Sequence, residues 1–336
     1  MFLFTSVYGQ QEFSYHKVKG DNLSGRLSCM KEVNTFGRLP ASLQEVVRPP
    51  VWSLGENAAG IYVDFKTDSD SIRVKYKVKG PLSMAHMPTI GVSGVDLYLH
   101  EQKNDRWAWA FGNYSFKDTV TYSFANIGNN SAGTFRLYLP MYNTVEFLEI
   151  GVTTKSTLSF VVEQTKPIVV YGTSIAQGAC ASRPGMAWTN ILSRDFTNPV
   201  INVAFSGNGR LEQPILDLIV QEDAAVYILD CIPNLSVTST RSAAQLDSLI
   251  LNAVHFIQRV RPTVPIILTE HSSAFTPGFL NVDKREEYAK STRVGQQTYD
   301  KMKKQGIKNI YYLSSEAIGL DVNSTVDYAH PNDWGL

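Results

Sequence analysis

The chain has 336 residues, 43% of them hydrophobic and 18% charged, with 31 Lys+Arg against 31 Asp+Glu. That length and composition suggest two domains with ample core and exclude a disordered chain. The balanced charge, with no basic stripe, argues against nucleic acid as a partner, and no segment reaches the roughly 18 apolar residues needed to cross a bilayer.

The first residues, MFLFTSVYGQQEF, form a short apolar run followed by small residues at Val7 and Gly9. They read as the end of a secretory signal over residues 1–9, cleaved before Gln10 and lacking its basic start, or else as a first β-strand. The signal reading makes the protein secreted or periplasmic; the strand reading leaves a cytoplasmic location open.

Residues 10–165 read as short strands set between turn signals. AAGIYVDFKTDSDSIRVKYKVKG alternates apolar and polar residues on both sides of Asp68-Ser69-Asp70, as a hairpin does. GVDLYLHE, RWAWAFGNYSF, GTFRLYLPMYNTVEFLEIGV and STLSFVVEQ keep the same period of two. The expectation is an antiparallel, jelly-roll-like β-sandwich. Trp107 and Trp109 share one strand face, where core packing is favoured over a platform for sugar rings.

From residue 166 to 336 the pattern changes. IVVYG, VINVAFSG, AVYILDCI and PIILTEHS are nearly continuous apolar runs, as in parallel strands buried on both faces. Amphipathic stretches at 186–194, 211–220, 241–261 and 284–305 separate or follow them. Strand–helix alternation predicts a doubly wound, flavodoxin-like α/β domain, whose sites lie at the carboxyl ends of its strands.

Those ends carry Ser174, the run Ser206-Gly207-Asn208-Gly209, and Asp230-Cys231-Ile232-Pro233-Asn234, while Asp327-Tyr328-Ala329-His330-Pro331 lies near the C-terminus. Together they supply a serine nucleophile (Ser174), a histidine base (His330) and an aspartate to orient it (Asp327). The backbone N–H groups of Ser174 and Gly207 and the amide of Asn234 can surround a developing oxyanion. His271, after Glu270 at a strand end, is the rival base; Ser174 as a mere helix N-cap is the plain alternative.

These residues resemble the SGNH (GDSL-type) hydrolases. The first family block is usually Gly-Asp-Ser, and here it reads Gly172-Thr173-Ser174. GTSIAQGACASRPGMAW, FSGNGRLE, DCIPN and DYAHPNDWG resemble the four blocks of a bacterial branch of that superfamily. GVDLYLH resembles the Gly-x-Asp-Leu-Tyr signature of its accompanying β-domain, and RLPASLQEVVRPPVWSLGENAAGIYVDFKTDS fits that domain too. Family members normally continue past the His-Pro block into a closing helix, so the expectation is a chain truncated after Leu336.

The resemblance implies acyl-ester hydrolysis with no metal or organic cofactor. The expected substrate is a short-chain, acetyl-type ester, because the loop after Ser174 is built of small residues, and a carbohydrate one, because a sandwich and an export-signal reading accompany the hydrolase domain. A lipid-ester or thioester hydrolase and a non-catalytic carbohydrate-binding protein are the alternatives. Asp96 in GVDLY reads as a structural or interdomain residue, and Arg183 as reaching either substrate or a carboxylate of the other domain. Cys29, Cys180 and Cys231 show no metal spacing. Cys180 and Cys231 read as buried free thiols, with a disulfide between them as the alternative. Oligomeric state is not encoded in any motif.

Overall fold

A computed structural model describes residues 11–128, 132–162 and 165–336. The expected signal and its cleavage before Gln10 lie outside the described residues. In chain order the N-terminal half gives β1 (Phe13–Lys17), α1 (Pro49–Gly55), β2 (Tyr62–Thr67), β3 (Ile72–Val78), α2 (Thr89–Ser93), β4 (Asp96–Glu101) and β5 (Arg106–Ala110). It continues with β6 (Asn113–Ser115), β7 (Val120–Phe124), β8 (Thr134–Tyr138), β9 (Val145–Thr153) and β10 (Leu158–Val161). They form two antiparallel five-stranded sheets, ordered β1-β9-β3-β7-β6 and β10-β2-β8-β4-β5.

The predicted hairpin across Asp68-Ser69-Asp70 is corrected here: β2 and β3 lie in different sheets. Val63 and Phe65 of one strand and Ile72, Val74 and Tyr76 of the other bury their side chains in the same core between the sheets. A hairpin would put the two strands side by side; burying both inner faces instead requires the chain to cross from layer to layer. Ser69 sustains the crossing by donating to the Ser71 carbonyl at 2.5 Å and accepting from Thr153 N at 3.2 Å. RWAWAFGNYSF changes sheet in the same way, between β5 and β6.

The C-terminal half gives β11 (Ile168–Gly172), α3 (Ser174–Gln177), α4 (Trp188–Asp195), β12 (Val200–Ala204), α5 (Gln213–Ile219) and β13 (Val226–Asp230). Then follow α6 (Ala243–Val260), β14 (Ile266–Thr269), α7 (Val282–Lys304), β15 (Ile310–Leu313) and α8 (Ser315–Ile318). All five strands run parallel in the order β12-β11-β13-β14-β15, the flavodoxin-like winding. The edge strand β15 was not singled out in the sequence reading; its run is only the four residues IYYL, and Tyr311 and Leu313 are exposed at the sheet edge. No helix among the described residues is long and apolar enough to cross a membrane.

The second sandwich sheet turns an unusually polar face toward α4. Arg136 on β8 holds Asp64 on β2 with both forks, at 2.8 and 2.7 Å, and donates to the Ser193 carbonyl at 2.8 Å. The Tyr138 hydroxyl meets the Asn190 carbonyl at 3.0 Å, and Trp107 Nε1 donates to the Arg194 carbonyl at 2.9 Å. Trp107 is therefore packing between the halves, whereas Trp109 stays 47% exposed. Because the Asp64–Arg136 pair is buried, Asp64→Ala leaves an unpaired guanidinium and should cost about 3–5 kcal/mol in denaturant unfolding. Asp64→Leu with Arg136→Met should restore much of that; equal stability of wild type and Asp64→Ala would remove this role.

Candidate active site

Ser174 sits where β11 hands over to α3. Thr173, not Ser174, is the helix N-cap: its side chain accepts from Ile175 N, and its backbone is extended at φ −101°. The plain alternative for Ser174 is thereby corrected, since Ser174 opens the helix and its hydroxyl takes no part in the cap. Ser174 Oγ lies 2.7 Å from His330 Nε2. His330 Nδ1 in turn lies 2.8 and 3.0 Å from the two oxygens of Asp327.

The Asp-x-x-His spacing works through the backbone as well as the side chains. Asp327 Oδ1 accepts from Ala329 N at 3.2 Å and from His330 N at 2.9 Å, a closed turn that faces the carboxylate toward the imidazole. Partial burial pushes the Asp327 carboxyl up, but the hydrogen bonds from the His330 ring and the backbone outweigh it and hold it below the usual range. The acceptor at Nδ1 fixes the tautomer that carries its proton there, leaving Nε2 as the basic nitrogen beside Ser174.

Tyr328, inside that turn, takes a left-handed backbone at φ 73°. It is held by packing. Its ring meets Phe279 edge-on at 3.9 Å and stacks on Tyr288 at 5.6 Å, and Tyr288 stacks on His271 at 3.7 Å. His271, the rival base, is buried with Nδ1 accepting from Ser273 N at 3.2 Å. Burial, helped by the nearby His330, pushes it down to about 3, so it is neutral and belongs to this stack.

The glycine block closes over the turn that carries Ser174. A Cβ on Gly209 would stand 2.3 Å from the Gly172 carbonyl oxygen, so only glycine lets the two backbones meet. Gly207 has φ 69° and would have nothing within 4 Å of a Cβ, so its backbone borders open space. Asn234 Oδ1 accepts from Gly209 N at 3.0 Å, which commits the oxygen and leaves the NH2 end to donate elsewhere. Ser206 N donates to Gln177 Oε1 at 2.9 Å, and Arg48 reaches from the other half to Asn208 Oδ1 at 2.7 Å and to Glu212.

Three neighbours of the site were not assigned to it by the sequence. His86 stacks on the His330 ring at 5.8 Å from a loop of the sandwich half, where no local pattern marks it. Cys180 lies beside Asp327 and His330, its thiol pushed up to about 12, chiefly by burial. Asp230 ends β13 beneath the Ser174 turn, taking Thr269 Oγ1 at 2.8 Å and Thr173 Oγ1 at 3.4 Å; Thr173 thus faces a buried carboxyl. The alternative disulfide is corrected: all three cysteines are free, with Cys231 buried against the Tyr171 carbonyl and Cys180 near that of His86. Arg183 reaches Asp96 at 2.8 Å, the contact between the halves that was one of its two expected roles.

The family model for GDSL-like lipases and acylhydrolases matches residues 165–336, and that for the N-terminus of SGNH-type esterases matches 13–158. The chain belongs to the GDSL-like lipase/acylhydrolase family and is a carboxylic ester hydrolase. A solved structure from Bacteroides ovatus, described as a GDSL-like lipase, is 29% identical with a TM-score of 0.84, covering 96% of this chain and 94% of that one. The salicylyl-acyltransferase SsfX3 from a tetracycline biosynthetic pathway is 17% identical with a TM-score of 0.71, covering 96% and 90%. An acetyl xylan esterase from the rumen bacterium Butyrivibrio proteoclasticus is 10% identical with a TM-score of 0.53, covering 96% and 95%. At their identities the last two speak for the fold alone. No curated protein matches significantly.

Burial raises the Asp230 carboxyl from 3.8 to about 7, against the opposing hydrogen bonds from Thr269 and Thr173. The folded state therefore keeps a proton that the unfolded chain has already released. The resulting penalty on folding is absent below about pH 4, grows as pH rises, and is complete above about pH 7. Asp230→Asn should gain on wild type by up to about 3–4 kcal/mol across that window, read from unfolding curves at several pH values. A stability difference that stays flat with pH would show that Asp230 is not the titrating group.

Proposed function

We propose that the protein is a serine esterase removing short acyl groups, acetyl above all, from carbohydrate esters, and that it folds as a sandwich domain (10–165) and a catalytic domain (166–336). The observation that carries the mechanism is the unbroken path from Ser174 Oγ through His330 to Asp327. Ser174 attacks the ester carbonyl while His330 Nε2 takes its proton. The negative charge on the carbonyl oxygen is met by the N–H groups of Ser174 and Gly207 and by the Asn234 amide. Collapse expels the alcohol, which takes the proton from His330, and water then frees the acid by the same steps.

Small acyl groups are favoured by what surrounds the turn. Ala176, Ala179 and Ala181 are all buried, the last two against Met87, Val92 and Met141 of the sandwich half. Likeness to carbohydrate esterases supports the alcohol side by fold alone. Secretion is part of the same proposal, on the sequence of residues 1–9.

One observation favours the lipid-ester reading. Val322, Val326 and Trp334, 56%, 50% and 80% exposed, flank the His330 loop in the chain and present apolar side chains to solvent. Chain length separates the two readings. On p-nitrophenyl esters, acetate should be cleaved fastest and octanoate scarcely at all; each methylene held in a lipid pocket would add about 0.8 kcal/mol and reverse the order. Ser174→Ala should abolish turnover without unfolding the protein, and near wild-type turnover in that variant would end the serine mechanism.

Asn234→Ala should lower kcat by roughly 10²–10³ and leave KM nearly unchanged, because the donor acts on charge present only in the transition state. A rise confined to KM would instead make Asn234 a ground-state contact.

A further inference from the structure

Next to the Ser174–His330–Asp327 path stands a donor that ester hydrolysis does not use. After α3 the chain doubles back through Gly178, at φ 106°, and Cys180, at φ 67°. The turn brings the thiol against the other two residues: one donor atom each from Cys180, Asp327 and His330 lie within 4.8 Å of one another. The thiol donates to the His86 carbonyl at 3.6 Å, and a thiol is a weak donor, so leaving this bond costs little. Asp327 is exposed and His330 partly so, which opens the cluster to ions in solution.

A thiol, an imidazole and a carboxylate together suit zinc and its neighbours far better than calcium or magnesium, which take oxygen ligands. Ligands on one tetrahedral zinc stand roughly 3.3–3.8 Å apart for bonds of about 2.0–2.3 Å. The three donors therefore have to close by about 1 Å, within the reach of side-chain rotation. A water or Ser174 Oγ can complete the fourth position.

We propose that Cys180, Asp327 and His330 form an inhibitory site for a zinc-class divalent cation, which switches the esterase off reversibly. The site itself stands on the three donors; only the inhibitory consequence rests on the Ser174–His330–Asp327 mechanism. On binding, the S–H bond breaks, its proton passes to solvent, and a sulfur–metal bond forms, with no change of oxidation state. Either imidazole nitrogen gives the same outcome. Coordination at Nε2 occupies the lone pair that takes the proton of Ser174. Coordination at Nδ1 displaces the proton facing Asp327 and moves it to Nε2, which then cannot act as a base.

The test uses the full chain in a Cys29→Ser background, because Cys29 is an exposed thiol that would bind metal on its own. Zinc should inhibit p-nitrophenyl acetate hydrolysis, EDTA should restore it, and magnesium should leave the rate alone. Cys180→Ser should raise the zinc concentration for half-inhibition by roughly tenfold or more, as expected for the loss of one of three protein ligands. A second readout is independent of catalysis: cobalt titration should raise a thiolate-to-cobalt charge-transfer band, lost in Cys180→Ser and weakened in His330→Ala. Equal zinc sensitivity with and without the Cys180 thiol, or no cobalt band in the folded protein, overturns the site. A protein that hydrolyses no ester yet shows the band in wild type, and not in Cys180→Ser, keeps the site and loses the esterase mechanism.

Discussion

Asp96, a carboxylate from the sandwich half, holds the loop on which the two ends of the proposed relay depend. Its Oδ2 accepts from Arg183 Nη1 and from Gly185 N, each at 2.8 Å, and its Oδ1 from Trp109 Nε1 at 2.9 Å. The loop so held runs from α3, which Ser174 opens, to α4. One residue before Arg183, Ser182 N donates to Asp333 Oδ1 at 2.8 Å, and Asp333 lies three residues past His330. Nothing covalent fixes Ser174 opposite His330, 156 residues apart. Asp96 and Asp333 join the sandwich, the loop after Ser174 and the His330 loop through hydrogen bonds that are mostly charge-assisted, the stronger kind.

Arg38 makes a second such joint, with a different physical character. It is fully buried and donates only to neutral oxygens, among them the carbonyls of Ala204 at 2.7 Å, Leu54 at 2.6 Å and Asn57 at 3.0 Å. Burial pushes its guanidinium down to about 9, which still leaves it charged at neutral pH. A buried cation surrounded by carbonyl dipoles stays charged because Nε, Nη1 and Nη2 each find an acceptor. Ala204 ends β12, two residues before Ser206 opens the Ser206–Gly209 block, so Arg38 and Arg48 brace that block from the sandwich side. This dependence makes the sandwich a structural part of the site, whatever contacts it offers a substrate.

How far the sequence could be read follows from the range of the interactions. The buried strands β11 to β14 were visible because each is a local apolar run, and the residues at their ends follow from the winding of the sheet. Asp327 and His330 were legible because three residues of spacing suffice to place a carboxylate behind an imidazole. Asp230 was read only as part of the asparagine block; that its carboxyl sits beneath Thr173 depends on the register of β13 beside β11. His86, Cys180, Tyr288 and the layer crossing at Ser69 were hidden for the same reason. Each depends on partners far away in sequence, to which alternation and helical period are blind.

The stack below the histidine loop shows geometry and electrostatics set by one packing arrangement. Tyr328 adopts a left-handed backbone that costs a non-glycine residue roughly 1–3 kcal/mol, and the turn needs that backbone to aim two N–H groups at Asp327. Phe279 and Tyr288 supply the packing that offsets it, and His271 closes the stack from beneath. A histidine there would be harmful if charged, because the proposed mechanism makes an imidazolium at His330, and a second cation nearby would oppose it. Burial keeps His271 neutral, so it contributes ring area without charge. The apolar packing that holds Tyr328 in its strained conformation is therefore the same packing that spares His330 a competing positive charge.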